Sequence, residues 1–150
     1  MKDEPIPDDN HISRYCRWTS LTSKGEVSGV SFELGTKTDG QKEEYLSVNW
    51  LEFLDLSDRE AEICDIRRVL ATKLTLGTKA KIAVLNVGNA KSHVFHKSPD
   101  KRMLRILHRP DEPPDKPADP SHSGIFDTLN NENVIAVLLA EQVQETYPAR

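Results

Sequence analysis

Ser57-Asp58-Arg59-Glu60-Ala61-Glu62-Ile63-Cys64-Asp65-Ile66-Arg67-Arg68-Val69-Leu70 is followed, past Gly77, by Lys81-Ile82-Ala83-Val84-Leu85-Asn86-Val87. The first stretch has helical periodicity. Ile63, Ile66, Leu70 and Leu74 recur at spacings of three and four and form one apolar stripe, with Arg59, Glu60, Glu62, Arg67 and Arg68 off it. Ser57 and Glu60 have capping-box spacing, and Gly77 is a stop. The spacing predicts a helix over 57–74. The second stretch is almost continuously apolar, as an inner strand covered on both faces would be. Gly88-Asn89 then reads as its end.

Upstream, His11 to Thr19 reads as a first strand. Val27 to Leu34 reads as a half-buried one, because Val30, Phe32 and Leu34 sit at spacing two. Tyr45 to Val48 is a short strand, and Trp50, Leu51, Phe53 and Leu54 suit a helical turn. Downstream, Met103 to Leu107 and Ser123 to Phe126 read as strands. Between them lies a stiff acidic loop, 109–120, holding five of the nine prolines. Asn130 or Asn131 caps a last helix, 131–146, which is apolar all round from Val134 to Ala140. Strands bunch early and late instead of alternating with helices, which disfavours a doubly wound sheet. The expectation is one α+β domain over 11–150: a mixed or antiparallel sheet of five or six strands and two main helices. Residues 1–10 read as a flexible acidic tail.

The chain has 150 residues, 37% hydrophobic and 29% charged, with a net charge of −4. That charge excludes a general nucleic-acid coat and leaves Lys101, Arg102, Arg105 and Arg109 as a local basic patch. Cys16 and Cys64 make no disulfide framework and read as reduced thiols. No apolar run approaches the ~20 residues of a membrane helix, and the start lacks a signal-peptide pattern. A cytoplasmic location without a membrane partner is expected.

Three clusters carry the side-chain chemistry. His11-Ile12-Ser13-Arg14-Tyr15-Cys16-Arg17-Trp18 combines an imidazole, a hydroxyl, two guanidiniums, a phenol, a thiol and an indole. As a strand it puts His11, Ser13, Tyr15 and Arg17 on one face and Ile12, Arg14, Cys16 and Trp18 on the other. The plain alternative is a surface strand with Tyr15 or Trp18 packed inward. In Tyr45-Leu46-Ser47-Val48-Asn49-Trp50-Leu51-Glu52, the apolar residues take one side and Ser47 and Asn49 the other, at a strand end. In Asp119-Pro120-Ser121-His122-Ser123-Gly124, an imidazole sits between two hydroxyls. It serves either as an acid–base group or as a partner for a backbone carbonyl.

The candidate acid–base residues are His11 and His122. The candidate ligand-binding residues are Ser13, Arg14, Tyr15, Arg17, Ser47 and Asn49, with Arg14 or Arg17 gripping an anion through charge-assisted bonds. No metal site is expected: His93 and His96 form H-x-x-H, but a third ligand is missing. No cofactor is expected, since G-x-x-x-x-G-K-[ST], G-x-G-x-x-G and G-x-S-x-G are all absent.

In bare spacing, His11-Ile12-Ser13 and His96-Lys97-Ser98 resemble the paired H-x-S/T motifs of two-histidine phosphoesterases, although Lys97, Pro99 and Asp100 contradict a buried strand. The segments H-I-S-R-Y-C, Y-L-S-V-N-W-L-E-F-L and D-P-S-H-S-G-I resemble those of a family of small uncharacterised bacterial proteins. That resemblance implies no chemistry and supports only the three clusters as a set. The residues point first to an accessory or interaction module with a polar-aromatic recognition surface and a protein partner. The alternative is a small enzyme acting on a phosphorylated or nucleotide-like ligand. Both require the clusters to converge.

Overall fold

The computed structural model describes residues 2–115 and 117–150. Six strands form one antiparallel sheet: β1 (His11–Cys16), β2 (Tyr45–Trp50), β3 (Lys81–Asn86), β4 (Arg105–His108), β5 (His122–Phe126) and β6 (Val143–Pro148). Their order is β4-β5-β2-β1-β3-β6. Among the described residues three α-helices accompany them: α1 (Arg59–Ala71), α2 (Val87–Lys97) and α3 (Glu132–Ala140). The α+β expectation holds, with one helix more than expected.

Each face of the sheet has its own core. On one, Ile12, Leu46, Val48, Leu85, Ile106 and Ile125 pack with Phe32 and Leu34, with Val87, Ala90 and Val94 of α2, and with Ile135 and Leu139 of α3. On the other, the α1 stripe of Ile63, Ile66 and Leu70 packs on Ile82 and Val84, with Tyr15 and Tyr147 at its border. This second cluster contains no residue of β2, β4 or β5. α1 therefore covers only the β1-β3-β6 half of its face. The polar residues of β2 and β5 on that face lie outside its apolar contact.

Several boundaries differ from the sequence reading, each for a local reason. Val27 to Leu34 is not a strand. It contains a 3₁₀ turn, Gly29–Phe32, that buries Phe32 and leaves Val30 exposed. Gly29 lies so close to α3 that a Cβ there would meet the Val137 side chain at 2.9 Å. The cap of α1 is Asp58, which accepts from the Ala61 amide at 2.8 Å, rather than Ser57.

Gly88-Asn89 does not end the secondary structure. Asn86 caps α2 by accepting from the Asn89 amide at 2.8 Å. Gly88 sits where a side chain would strike the Asp8 backbone at 2.9 Å. α3 stops at Ala140 instead of running to 146, and one of its faces is exposed at Val134 and Val137. Val143–Pro148 turns back as β6 to pair with the outer edge of β3. An inner strand needs a partner on each side, and this segment supplies the second one.

The opening segment, expected as a loose tail, is laid along β4. The Asp3 amide donates to His108 O at 2.6 Å, the His108 amide to Glu4 O at 2.9 Å, and the Ile6 amide to Ile106 O at 3.0 Å. Ile6 is only 2% exposed. The segment covers a sheet edge that would otherwise present unpaired groups.

Candidate ligand-binding cleft

β1 pairs with β3 at six positions, from His11↔Asn86 to Cys16↔Lys81. It pairs with β2 at only two, Ile12↔Trp50 and Ser13↔Asn49. Beyond Ser13 the two strands part, and the gap is spanned by one side chain. Arg14 donates through Nε to Ser31 O at 2.9 Å and through Nη1 to Ser47 O at 2.8 Å. Beneath it, the buried hydroxyls of Ser20 and Ser31 bond each other at 2.8 Å.

The parting of the strands opens a cleft of about 560 Å³. Six residues singled out in the sequence line it: Arg14, Tyr15, Arg17, Ser47, Asn49 and His122. The end of α1 adds Leu70, Lys73 and Leu74, the 3₁₀ turn adds Val30 and Ser31, and the proline loop adds Asp119. Glu33 and Glu43 form part of the wall.

Arg14 is one of the charged residues that line the cleft. Burial lowers its guanidinium pKa from the ordinary value, with Cys16 and then Glu43 opposing that effect. An arginine stays cationic through such shifts. Its bonds go to carbonyls, and among the described residues no carboxylate forms an ion pair with it. The side chain is half-buried, and the Nη1 end stays open to the cleft, where an anion can reach it.

Asn49 gives both hydrogens of its side-chain amide away, to Asp119 Oδ1 at 2.8 Å and Ser121 Oγ at 2.9 Å. It can meet a ligand only as an acceptor through Oδ1. Asp119 is 1% exposed and takes Lys73 Nζ on its other oxygen at 2.5 Å. This knot fixes the end of the proline loop to β2 and to the chain just past α1. His122 lies opposite Asn49 on β5. Its Nδ1 must be the donor to Arg109 O, at 2.8 Å, because a carbonyl only accepts. In the neutral ring Nε2 is then an acceptor. Both sequence readings of His122 coexist: it satisfies a carbonyl and lines the cleft.

Two candidates lie elsewhere. His11 is not a cleft residue. Glu52 holds it twice, accepting from its backbone amide and facing its Nδ1, both at 2.6 Å. Ser13 is buried at the junction with Asn49. The expected pairing of His11 with His122 around one hollow is absent. The local basic patch is neutralised: Arg102 pairs with Asp100, Arg105 with Asp127 and Arg109 with Asp3, at 2.6, 2.7 and 2.8 Å. Lys101 bonds the His96 carbonyl. Arg109 also lies 5.6 Å above the rings of both Tyr45 and Phe126.

His96 sits on α2 rather than on a strand, which removes the structural basis of the phosphoesterase likeness. Among the described residues no group of three His, Cys, Asp or Glu side chains is placed to hold a metal ion. Nor is any described helix long and apolar enough to cross a membrane. The sequence reading missed Lys73, Ser20, Ser31, Glu33 and Glu43. Only Asp119, in the quoted D-P-S-H segment, carried a signal. No protein-family model, curated protein or solved structure matches the chain.

Proposed function

We propose that the protein is a small recognition module whose ligand enters the β1/β2 cleft and presents one compact anionic group, a phosphate or a carboxylate, to Arg14. The observation that carries this reading is the half-buried Arg14 guanidinium, bonded to two carbonyls and, among the described residues, to no carboxylate, in a cleft that six of the residues singled out in the sequence help to line. A ligand anion supplies the missing counter-charge through short charge-assisted bonds. The ligand is either a free small molecule or the anionic end of a protein partner. Val30 and Leu74, 58% and 43% exposed at the cleft, give it apolar surface to cover.

Binding is favoured over turnover because the two imidazoles assigned to acid–base work do not share the cleft. The test is thermal unfolding of the wild type and Arg14→Gln with inorganic phosphate, adenosine monophosphate and free carboxylates. A ligand at 100 times its Kd stabilises by about 2.7 kcal/mol, a rise of roughly 5–10 °C for a chain of this size. The wild type is expected to respond to at least one probe and Arg14→Gln to none. Equal responses in both proteins overturn the assignment.

A further inference from the structure

The charges in the cleft are balanced in a way that narrows the ligand. Lys73 and Asp119 neutralise each other in direct contact. The cleft is also lined by Arg14 and Arg17 and by two acids, Glu33 and Glu43. Glu43 is held in place because its Oε1 accepts from the Gly35 amide at 2.9 Å. A ligand that is negative throughout, such as a polyphosphate, brings like charge against these two acids, which disfavours it. One that carries both signs close together meets a partner for each. The same cleft has apolar wall from Leu70, Leu74 and Val30, and its volume of about 560 Å³ lies within the usual range for small-ligand sites.

Resting on the reading that Arg14 takes an anion, we propose that the ligand is a zwitterionic α-amino acid with an apolar side chain. Its carboxylate sits on Arg14, its ammonium group toward Glu43 and Glu33, and its side chain against Leu70, Leu74 and Val30. Arg14 is pre-set for this role, since the two carbonyl bonds hold the planar guanidinium before the ligand arrives. Binding makes and breaks no covalent bond.

Isothermal calorimetry on the full chain with L-leucine, L-methionine and L-phenylalanine tests the idea, with N-acetyl-L-leucine and L-leucinamide as controls that each remove one charge. At least one free amino acid is expected to bind, and either control is expected to weaken leucine-type binding about tenfold or more, the size of one lost charge-assisted contact. Glu43→Gln is expected to weaken the free amino acid and to leave the residual binding of the N-acetyl compound unchanged. The two controls act on the ligand, so they decide the matter even if that variant fails to fold. Silence from all three amino acids, or equal affinity for the N-acetyl compound, overturns the proposal. If phosphate or adenosine monophosphate then still gives an Arg14-dependent response, the anion reading stands alone. If no probe does, both fall.

Discussion

Lys73 Nζ lies 2.5 Å from the carboxylate of Asp119, across 46 residues of sequence. The pair joins the chain just past α1 to the last turn of the proline loop, and Asn49 bonds the same carboxylate from β2. Lys73→Met leaves a 1% exposed acid with Asn49 as its main remaining partner. Lys73 is itself partly solvated, so the expected loss is below that of a fully buried pair, about 2 kcal/mol. Asp119→Asn alone is expected to cost a similar amount. The double variant is expected to cost less than the two losses added, with a coupling of about 1 kcal/mol or more in a urea-unfolding cycle. Additive losses would show that the pair contributes nothing beyond packing.

The two cysteines are expected to separate cleanly in a thiol titration. Burial pushes the Cys16 thiol up from its ordinary pKa, and the side chain is enclosed beside Ser31 and Arg14. Cys64 is exposed on α1, and both are free. The thiolate is the reactive form. One thiol per chain should react with an aromatic disulfide reagent in buffer and two in denaturant. Two fast-reacting thiols in buffer would contradict the packing of β1.

Glu62 gives stability an acid-side pH dependence. Burial raises its carboxyl pKa above the ordinary glutamate value, against the lowering effect of Arg59, whose Nη1 it accepts at 2.7 Å. A folded pKa above the unfolded one means that the fold holds the proton more tightly. The group's contribution is therefore greatest below the ordinary glutamate pKa and falls as pH rises through the folded value. Glu62→Gln keeps a hydrogen-bonding side chain and removes that titration. The stability of the wild type relative to Glu62→Gln is expected to decrease as pH rises from the acid side toward neutrality, and then to level off. A constant difference across that window in urea unfolding would refute the assignment.

Ile6 anchors the opening segment in the main core. Ile6→Ala is expected to destabilise by about 2–4 kcal/mol, as a buried large-to-small change does. Deleting residues 2–8 should add a second effect, concentration-dependent association, because it bares the β4 edge. Light scattering against protein concentration checks the second effect and urea unfolding the first. A variant as stable and monomeric as the wild type would show that the segment is expendable.

The sequence revealed elements that follow their own local pattern. α1 was legible because Ile63, Ile66 and Leu70 keep helical spacing and one face. β3 was legible because a strand buried on both sides is a continuous apolar run. α2 was hidden behind Gly88, which looks like a breaker and is there because Asp8 passes over it. β6 was hidden because most of its residues are polar and exposed, and its existence depends on the open edge of β3. Within the site, Arg14, Tyr15 and Arg17 were legible as near neighbours in one chemistry-dense stretch, although Arg17 lies just past the end of β1. Ser47 and Asn49 were legible as polar residues alternating with apolar ones along β2, and His122 as the first residue of β5. The Lys73–Asp119 and Ser20–Ser31 contacts were not, since each joins distant segments and neither leaves a trace in local spacing. His11 looked catalytic for the very chemistry that lets it bind Glu52.

The two-residue pairing of β1 with β2 has a mechanical meaning. The sheet is two three-stranded ribbons, β4-β5-β2 and β1-β3-β6, stitched at Ile12 and Ser13 and bridged just beyond by the Arg14 guanidinium. Anything lodged in the wedge touches both ribbons at once and acts as a second stitch.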